Sequence, residues 1–176
     1  MDVLERTKQA LAGLFPDQGE VTAALPETSA GAEGGVARPE PDRQPGCLQM
    51  EFAKHGYHFD VLCLPEQVVA VAAIMDREQY FLESIAGVDW LDRGQIEVLY
   101  DYNRLGGEHC RVMVHVCLPR TEPSLPTLSK VFPSADWHER ETFDFYGVQF
   151  QDHPNLIRIL LPEDADFFPL RKDYMP

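Results

Sequence analysis

The chain has 176 residues and a formal net charge of −14, from 15 Lys and Arg against 29 Asp and Glu, with 44% hydrophobic residues. That composition suits one globular domain plus an appendage, or two very small domains. Its acidity argues against a phosphate-tracking surface for nucleic acid and against direct adhesion to an anionic membrane. The longest apolar run, VVAVAAIM, falls far short of the roughly 18–20 residues that cross a bilayer. The N-terminus lacks the basic start and apolar centre of a signal peptide, so an intracellular location is expected.

In chain order, 2–15 predicts a short amphipathic helix with Val3, Leu4, Leu11, Leu14 and Phe15 mostly on one side. It reads as a tethered accessory. Ten of the 31 residues from Pro16 to Gly46 are Pro or Gly. A segment so poor in bulky apolar residues reads as a flexible arm. The domains expected are therefore 1–46 as helix and arm, 47–150 as an α+β domain, and 151–176 as an extended tail that wraps a partner.

Within the domain, His58–Leu64 predicts a strand and Pro65 opens a helix through EQVVAVAAIMD. REQYFLESIAG predicts a second helix that stops at Gly87. Gln95–Asn103 alternates with Ile96, Val98, Tyr100 and Tyr102 on one face. Glycines in LGGE turn it back into HCRVMVHVCL, a hairpin with one buried face. His115 falls on its outer face and reads as a surface or half-buried polar residue, as do the histidines at 55, 58 and 109. The Pro-rich LPRTEPSLP breaks the sheet, and TLSKVF predicts a short helix. Ser134 or Asp136 then caps a helix through WHERETFDFYG. VQF and LIRILL are strand-like. The fold class expected is α+β, a small mostly antiparallel sheet flanked by helices on one side, with an extended tail.

The four cysteines at 47, 63, 110 and 117 contain no C-x-x-C and read as small buried hydrophobes; the chain carries no iron–sulfur ligand set of its own. The His138–Glu139 pair suggests a zinc motif, which needs a second His at 142, but Thr142 stands there. A stand-alone hydrolase using His138 with Glu139 ranks low, because no nucleophile lies in a recognisable turn. On a helical projection Glu139 falls between Tyr146 and Phe143, where a carboxylate needs a partner. Arg158, Arg171 and Lys172 are the candidates. Arg140 and Asp144 are spaced for an i,i+4 pair. Rings and charges surround the whole helix, which predicts enclosure by another chain and favours an interaction protein over an enzyme.

The stretch WHERETFDFYGVQFQDHPNLIRILLPED, continuing to PLRKDY, resembles the C subunit, or 30 kDa subunit, of NADH-quinone oxidoreductase (respiratory complex I). Glu139, Arg140, Glu141, Asp144, Gly147, His153, Pro154, Arg158, Ile159, Leu160, Pro162, Glu163, Asp164, Pro169, Leu170, Arg171, Lys172, Asp173 and Tyr174 stand at the places of the family signature, and Trp137 stands two residues before it. Asp152, Ile157, Ala165 and Phe167 depart from that pattern. The resemblance implies a non-catalytic subunit in the peripheral arm of a proton-translocating complex. That complex passes electrons from NADH through FMN and iron–sulfur clusters to quinone. It implies no cofactor in this chain, FMN and the clusters being held by partner subunits. It also implies packing on the D subunit and on the iron–sulfur subunits B and I, at the cytoplasmic face of the inner (plasma) membrane, touching the membrane only through the complex. Equivalent subunits serve membrane-bound nickel–iron hydrogenases and deazaflavin- or ferredoxin-dependent dehydrogenases, which is the alternative the resemblance leaves open.

Overall fold

Alternating β-branched and aromatic residues build the centre of the molecule. The computed structural model describes residues 2–15, 43–104 and 106–175. Strands β1 (Gly46–Gln49), β2 (Phe59–Leu62), β3 (Phe81–Trp90), β4 (Gln95–Arg104) and β5 (Cys110–Pro119) form one sheet in the order β1-β2-β5-β4-β3. Only β2 and β5 run parallel. Ile96, Val98, Tyr100 and Tyr102 of β4, with Val112, Val114, Val116 and Leu118 of β5, are buried on one face. Against that face pack α1 (Val3–Ala12), α3 (Val68–Arg77) and α4 (Ala135–Tyr146), all contributing to one core. A further single-turn helix, α2 (Phe52–His55), follows β1, and two short strands, β6 (Ser124–Pro126) and β7 (Gln149–Gln151), pair in parallel as a second sheet. The mixed α+β class with a mostly antiparallel sheet is the observed one.

Several local expectations fail for identifiable reasons. The helix expected over 77–87 is strand β3. A bulge at Glu83 places Leu82 opposite Tyr102 and Ser84 opposite Asp101. The extra residue spaces the buried Leu82 and Ile85 three apart, which imitates a helical period in a strand. The chain reverses before it through Gln79 at φ 65°. The short helix expected over 127–132 is only a turn, closed on the Leu128 carbonyl by the amides of Val131 and Phe132. The strand expected over 156–161 joins no ladder, because its amides are taken by a carboxylate described below. Ser134 occupies the N-cap of α4 but makes no side-chain cap bond. The Pro-rich segment does end the main sheet, yet part of it forms β6.

The N-terminal helix is more than an accessory. Val3, Leu11 and Phe15 are buried in the common core, and the Thr7 hydroxyl meets the Tyr80 hydroxyl at 2.7 Å. Arg6 pairs with Glu78 at 2.8 Å, and the Val3 amide donates to Glu108. The expected Pro/Gly-rich arm lies mostly outside the described residues. Among the described residues no helix is long and apolar enough to cross a membrane.

Candidate functional site

Helix α4 ends at Gly147, whose φ of 78° is left-handed. A Cβ added there would stand 2.7 Å from the Phe168 ring, so glycine both permits the turn and admits the tail. Gly87 of β3 plays a similar part. A Cβ there would lie 2.5 Å from the Tyr146 ring, and its lack lets α4 sit directly on the sheet.

Asp144 organises the tail. Its carboxylate is fully buried and accepts the amides of Ile159, Leu160 and Leu161 at 3.1, 2.7 and 3.0 Å, while Arg158 donates to it at 2.7 Å. Burial opposes its ionisation, but those amides and the guanidinium outweigh it and hold the carboxyl below the usual range. The i,i+4 pair expected with Arg140 therefore does not form. Arg140 instead donates to the Ile157 carbonyl at 3.0 Å and lies over the Trp137 ring at 5.2 Å.

Glu139 also departs from expectation. It is 0% exposed and pairs with none of Arg158, Arg171 or Lys172. The Thr127 hydroxyl and the Leu128 amide donate to it at 2.5 and 2.6 Å, and His153 Nε2 stands 3.8 Å away. The helix turns Glu139 toward the 127–132 turn, while the downstream arginines lie around the other end of α4. With no Lys or Arg beside it among the described residues, burial pushes its pKa up to about 7, against the two hydrogen bonds. A sealed carboxylate cannot meet a substrate, so the low-ranked hydrolase using His138 and Glu139 has no geometric support. His153, whose side chain is itself fully buried, receives the Asn155 amide on Nδ1 at 3.0 Å, and its Nε2 faces the Asp136 carbonyl at 3.2 Å.

The remaining signature residues close the tail over the same helix end. The Leu170 amide donates to the Phe145 carbonyl, and Arg171 Nε to the Tyr146 carbonyl at 2.8 Å. The Lys172 amide reaches Asp89 at 2.8 Å, Asp173 pairs with Arg120, and Tyr174 stacks on Phe167 at 5.2 Å. Pro169 is half-buried, whereas Glu141 and Pro154 are exposed. The tail expected to wrap a partner thus spends these polar groups on its own domain. Exposed apolar side chains stand beside these bonded groups: Trp137 of α4 is 63% exposed, and Ile157, Leu160 and Leu170 of the tail are 52%, 59% and 49% exposed.

A second constellation has no counterpart among the sequence expectations. On the sheet face opposite the core, His115 is only 4% exposed, with Glu97 at 2.7 Å from Nδ1 and Asp60 at 3.3 Å from Nε2. Trp90 Nε1 donates to Glu97 at 2.8 Å, and Arg43 and Tyr57 donate to Asp60. Burial disfavours the imidazolium, but the two carboxylates overcome it and raise His115 to about 9, while Asp60 falls to about 2. The hairpin register alone would have brought Glu97 near His115, since Leu99 faces His115 and Cys117 faces Glu97. Asp60 arrives only through the parallel β2–β5 pairing.

Similarity to known proteins follows this anatomy. The family model for "Respiratory-chain NADH dehydrogenase, 30 Kd subunit" matches residues 61–176. The NADH-quinone oxidoreductase C subunit of Roseiflexus castenholzii is 42% identical over 114 residues, covering 62% of this chain and 65% of that one. The C subunit of Mycobacteroides abscessus is 53% identical over 64 residues, covering 36% and 28%. The matched regions thus span less than two thirds of these relatives. Among solved structures, the trypsin-resistant fragment of Nqo5 superposes with a TM-score of 0.54 at 28% identity, covering 64% of this chain and 89% of that one. A chain of an archaeal membrane-bound sulfane sulfur reductase shares the fold at a TM-score of 0.61 and 24% identity, covering 66% and 71%. The chain belongs to the 30 kDa subunit family of respiratory-chain NADH dehydrogenase.

Proposed function

We propose that this chain is a structural subunit of a proton-translocating NADH:quinone oxidoreductase, placed in its peripheral arm. There it scaffolds the quinone-reducing module at the cytoplasmic face of the membrane. It contributes no redox group, and electrons pass through FMN and iron–sulfur clusters held by partner subunits. The observation that carries this reading is how the family signature is used. Glu139, Arg140, Asp144, Arg158 and Arg171 are bonded within the chain, where all but Glu139 fix the tail to α4. Trp137, Ile157, Leu160 and Leu170 remain on the outside of that fixed surface. Arg140 links two of them, lying over the Trp137 ring while bonded to the Ile157 carbonyl. Exposed apolar side chains held on a rigid, charge-bearing surface have the make-up of a protein interface. The D subunit and the iron–sulfur subunits B and I are the partners it would meet.

Purification of the tagged chain from its host at native expression should recover those subunits. Trp137→Glu combined with Leu160→Glu should abolish the recovery while the isolated chain stays folded. Recovery of the unmodified chain as a lone monomer would sink the proposal.

A further inference from the structure

The turn that follows β6 ties Glu139 to the surface through a row of hydroxyls. Glu139 Oε2 lies 2.5 Å from Thr127 Oγ1, and Thr127 Oγ1 lies 2.8 Å from Ser129 Oγ. Glu139 and Thr127 are buried, whereas Ser129 is half-buried at the outer end. Thr127 has a single hydroxyl proton, so it donates to only one of these neighbours at a time. When it donates to Ser129, the proton between Thr127 and Glu139 belongs to the carboxyl. When it donates to Glu139, the carboxyl is ionised and Ser129 can donate back to Thr127. In either case the Ser129 amide donates to Thr127 Oγ1 at 3.1 Å and the Leu128 amide to Glu139 Oε1 at 2.6 Å. The same oxygens are thus hydrogen-bonded in both arrangements, which differ by one proton.

The groups packed around Glu139 leave that proton to the carboxyl. His153 Nδ1 accepts the Asn155 amide and its Nε2 faces the Asp136 carbonyl at 3.2 Å. The ring is therefore neutral, with its own proton on Nε2, and is no counter-ion at 3.8 Å from Glu139 Oε2. From β4, burial keeps the Tyr100 and Tyr102 phenols neutral, and the charge of Glu139 adds to that effect. On α4 itself, the half-exposed Asp136 disfavours a second negative charge. Lys130 of the turn and Asp152 after β7 are exposed and stand 4.0 Å from each other. We propose that Glu139 is a proton-binding site in the interior of this chain, and that it exchanges with solvent through the Thr127 and Ser129 hydroxyls. On release, the proton on Glu139 Oε2 passes to Thr127 Oγ1, that of Thr127 passes to Ser129 Oγ, and that of Ser129 passes to a solvent water, which becomes hydronium. The carboxylate keeps the electron pair and the negative charge. Uptake runs through the same bonds in reverse.

The site belongs to the chain itself, so its test is independent of partner recovery. Infrared difference spectra of the full chain are recorded across about pH 7, to which burial raises this carboxyl. A protonated-carboxyl band should be present below that pH, lost above it, and missing in Glu139→Gln. After a photoacid-driven pH jump, the band should form at least about tenfold more slowly in Thr127→Val and in Ser129→Val, where a methyl replaces one link of the row. Ser129→Val leaves the Glu139–Thr127 bond intact and should keep the titration midpoint. Thr127→Val should raise the midpoint as well, because the ionised form loses a donor. A band that is absent, or that does not change with pH, would overturn the proton site. An unchanged rate in either folded variant would overturn the hydroxyl route. If Thr127→Val does not fold, Ser129→Val and the Glu139→Gln spectrum still decide.

Discussion

The His115 cluster on the back of the sheet and helix α4 each bury two carboxylates, and they satisfy them by different means. Asp60 and Glu97 share one imidazole between them, with Arg43, Tyr57 and Trp90 completing the bonds. On α4, Asp144 has an arginine and three amides, whereas Glu139 has a hydroxyl and an amide. A buried carboxylate with a cation stays ionised, and one with only neutral donors retains its proton up to a higher pH. The two regions should therefore respond to mutation and pH in separable ways.

The largest effect is expected at Asp144. Asp144→Ala takes the carboxylate from Arg158, which keeps only its hydrogen bonds to the carbonyls of residue 144 and Phe167, and leaves three amides without an acceptor, a loss of about 3–5 kcal/mol by analogy with broken buried ion pairs. Urea denaturation measures it, and limited proteolysis should show cleavage within 156–175. A change below about 1 kcal/mol would mean that the tail is held by its aromatic contacts instead.

The sheet cluster sharpens the contrast through pH. The folded pKa of His115, about 9, lies above its ordinary 6.5. Its contribution is complete below 6.5 and is lost as pH rises through 9, an effect of up to about 3 kcal/mol. His115→Leu should abolish that slope. Parallel stability curves for the two proteins between pH 6.5 and 9 would refute the charged imidazole. Asp60, held near 2, contributes above its ordinary value and loses that contribution as pH falls toward 2; this is the same contact seen from the other partner, not an additional energy.

Glu139 has the same sign in an adjacent window. Its pKa is raised from 4.5 to about 7, so stability from this group is complete below 4.5 and declines through 7, by up to about 3 kcal/mol. Glu139→Gln should flatten that decline and, at pH 8, leave the protein at least as stable as the unmodified chain. A Gln variant that loses more than about 2 kcal/mol at pH 8 would show that the ionised carboxylate is required there.

Smaller effects follow at the joint and on the surface. Gly147→Ala combines a left-handed φ with the Phe168 contact and should cost about 1–3 kcal/mol, read as a lowered Tm. Trp137→Ala should change the stability of the isolated chain by less than about 0.5 kcal/mol, because the ring is largely exposed. A larger loss would place Trp137 in the fold and remove it from the partner surface.

Much of the core could be read directly. The alternation through 95–103 and 110–118 identified the central hairpin, because one residue in two faces an apolar layer. Pro65 marked the start of the first long helix of the domain, through the 3₁₀ turn Pro65–Gln67. Where one inserted residue changed the period, as at Glu83, strand β3 looked helical. The signature on α4 was legible as a cluster, but the partners of its charges were not. Arg158 and Arg171 were candidates for Glu139 by chain distance, and the rotation of α4 gives Arg158 to Asp144 instead. His115 was hidden by its alternation, which correctly placed it on the outer face but carried no sign that Asp60 would cover it.

The sequence by itself determined the family, the α+β class, the core hairpin and the helix that carries the signature. Local periodicity and motif are written in neighbouring residues. Tertiary structure alone decided which buried carboxylates keep their charge and where the tail is anchored. Each depends on groups brought together across long stretches of chain: Asp60 reaches His115 through a parallel strand pair, and Asp144 collects amides from residues that have no regular structure of their own.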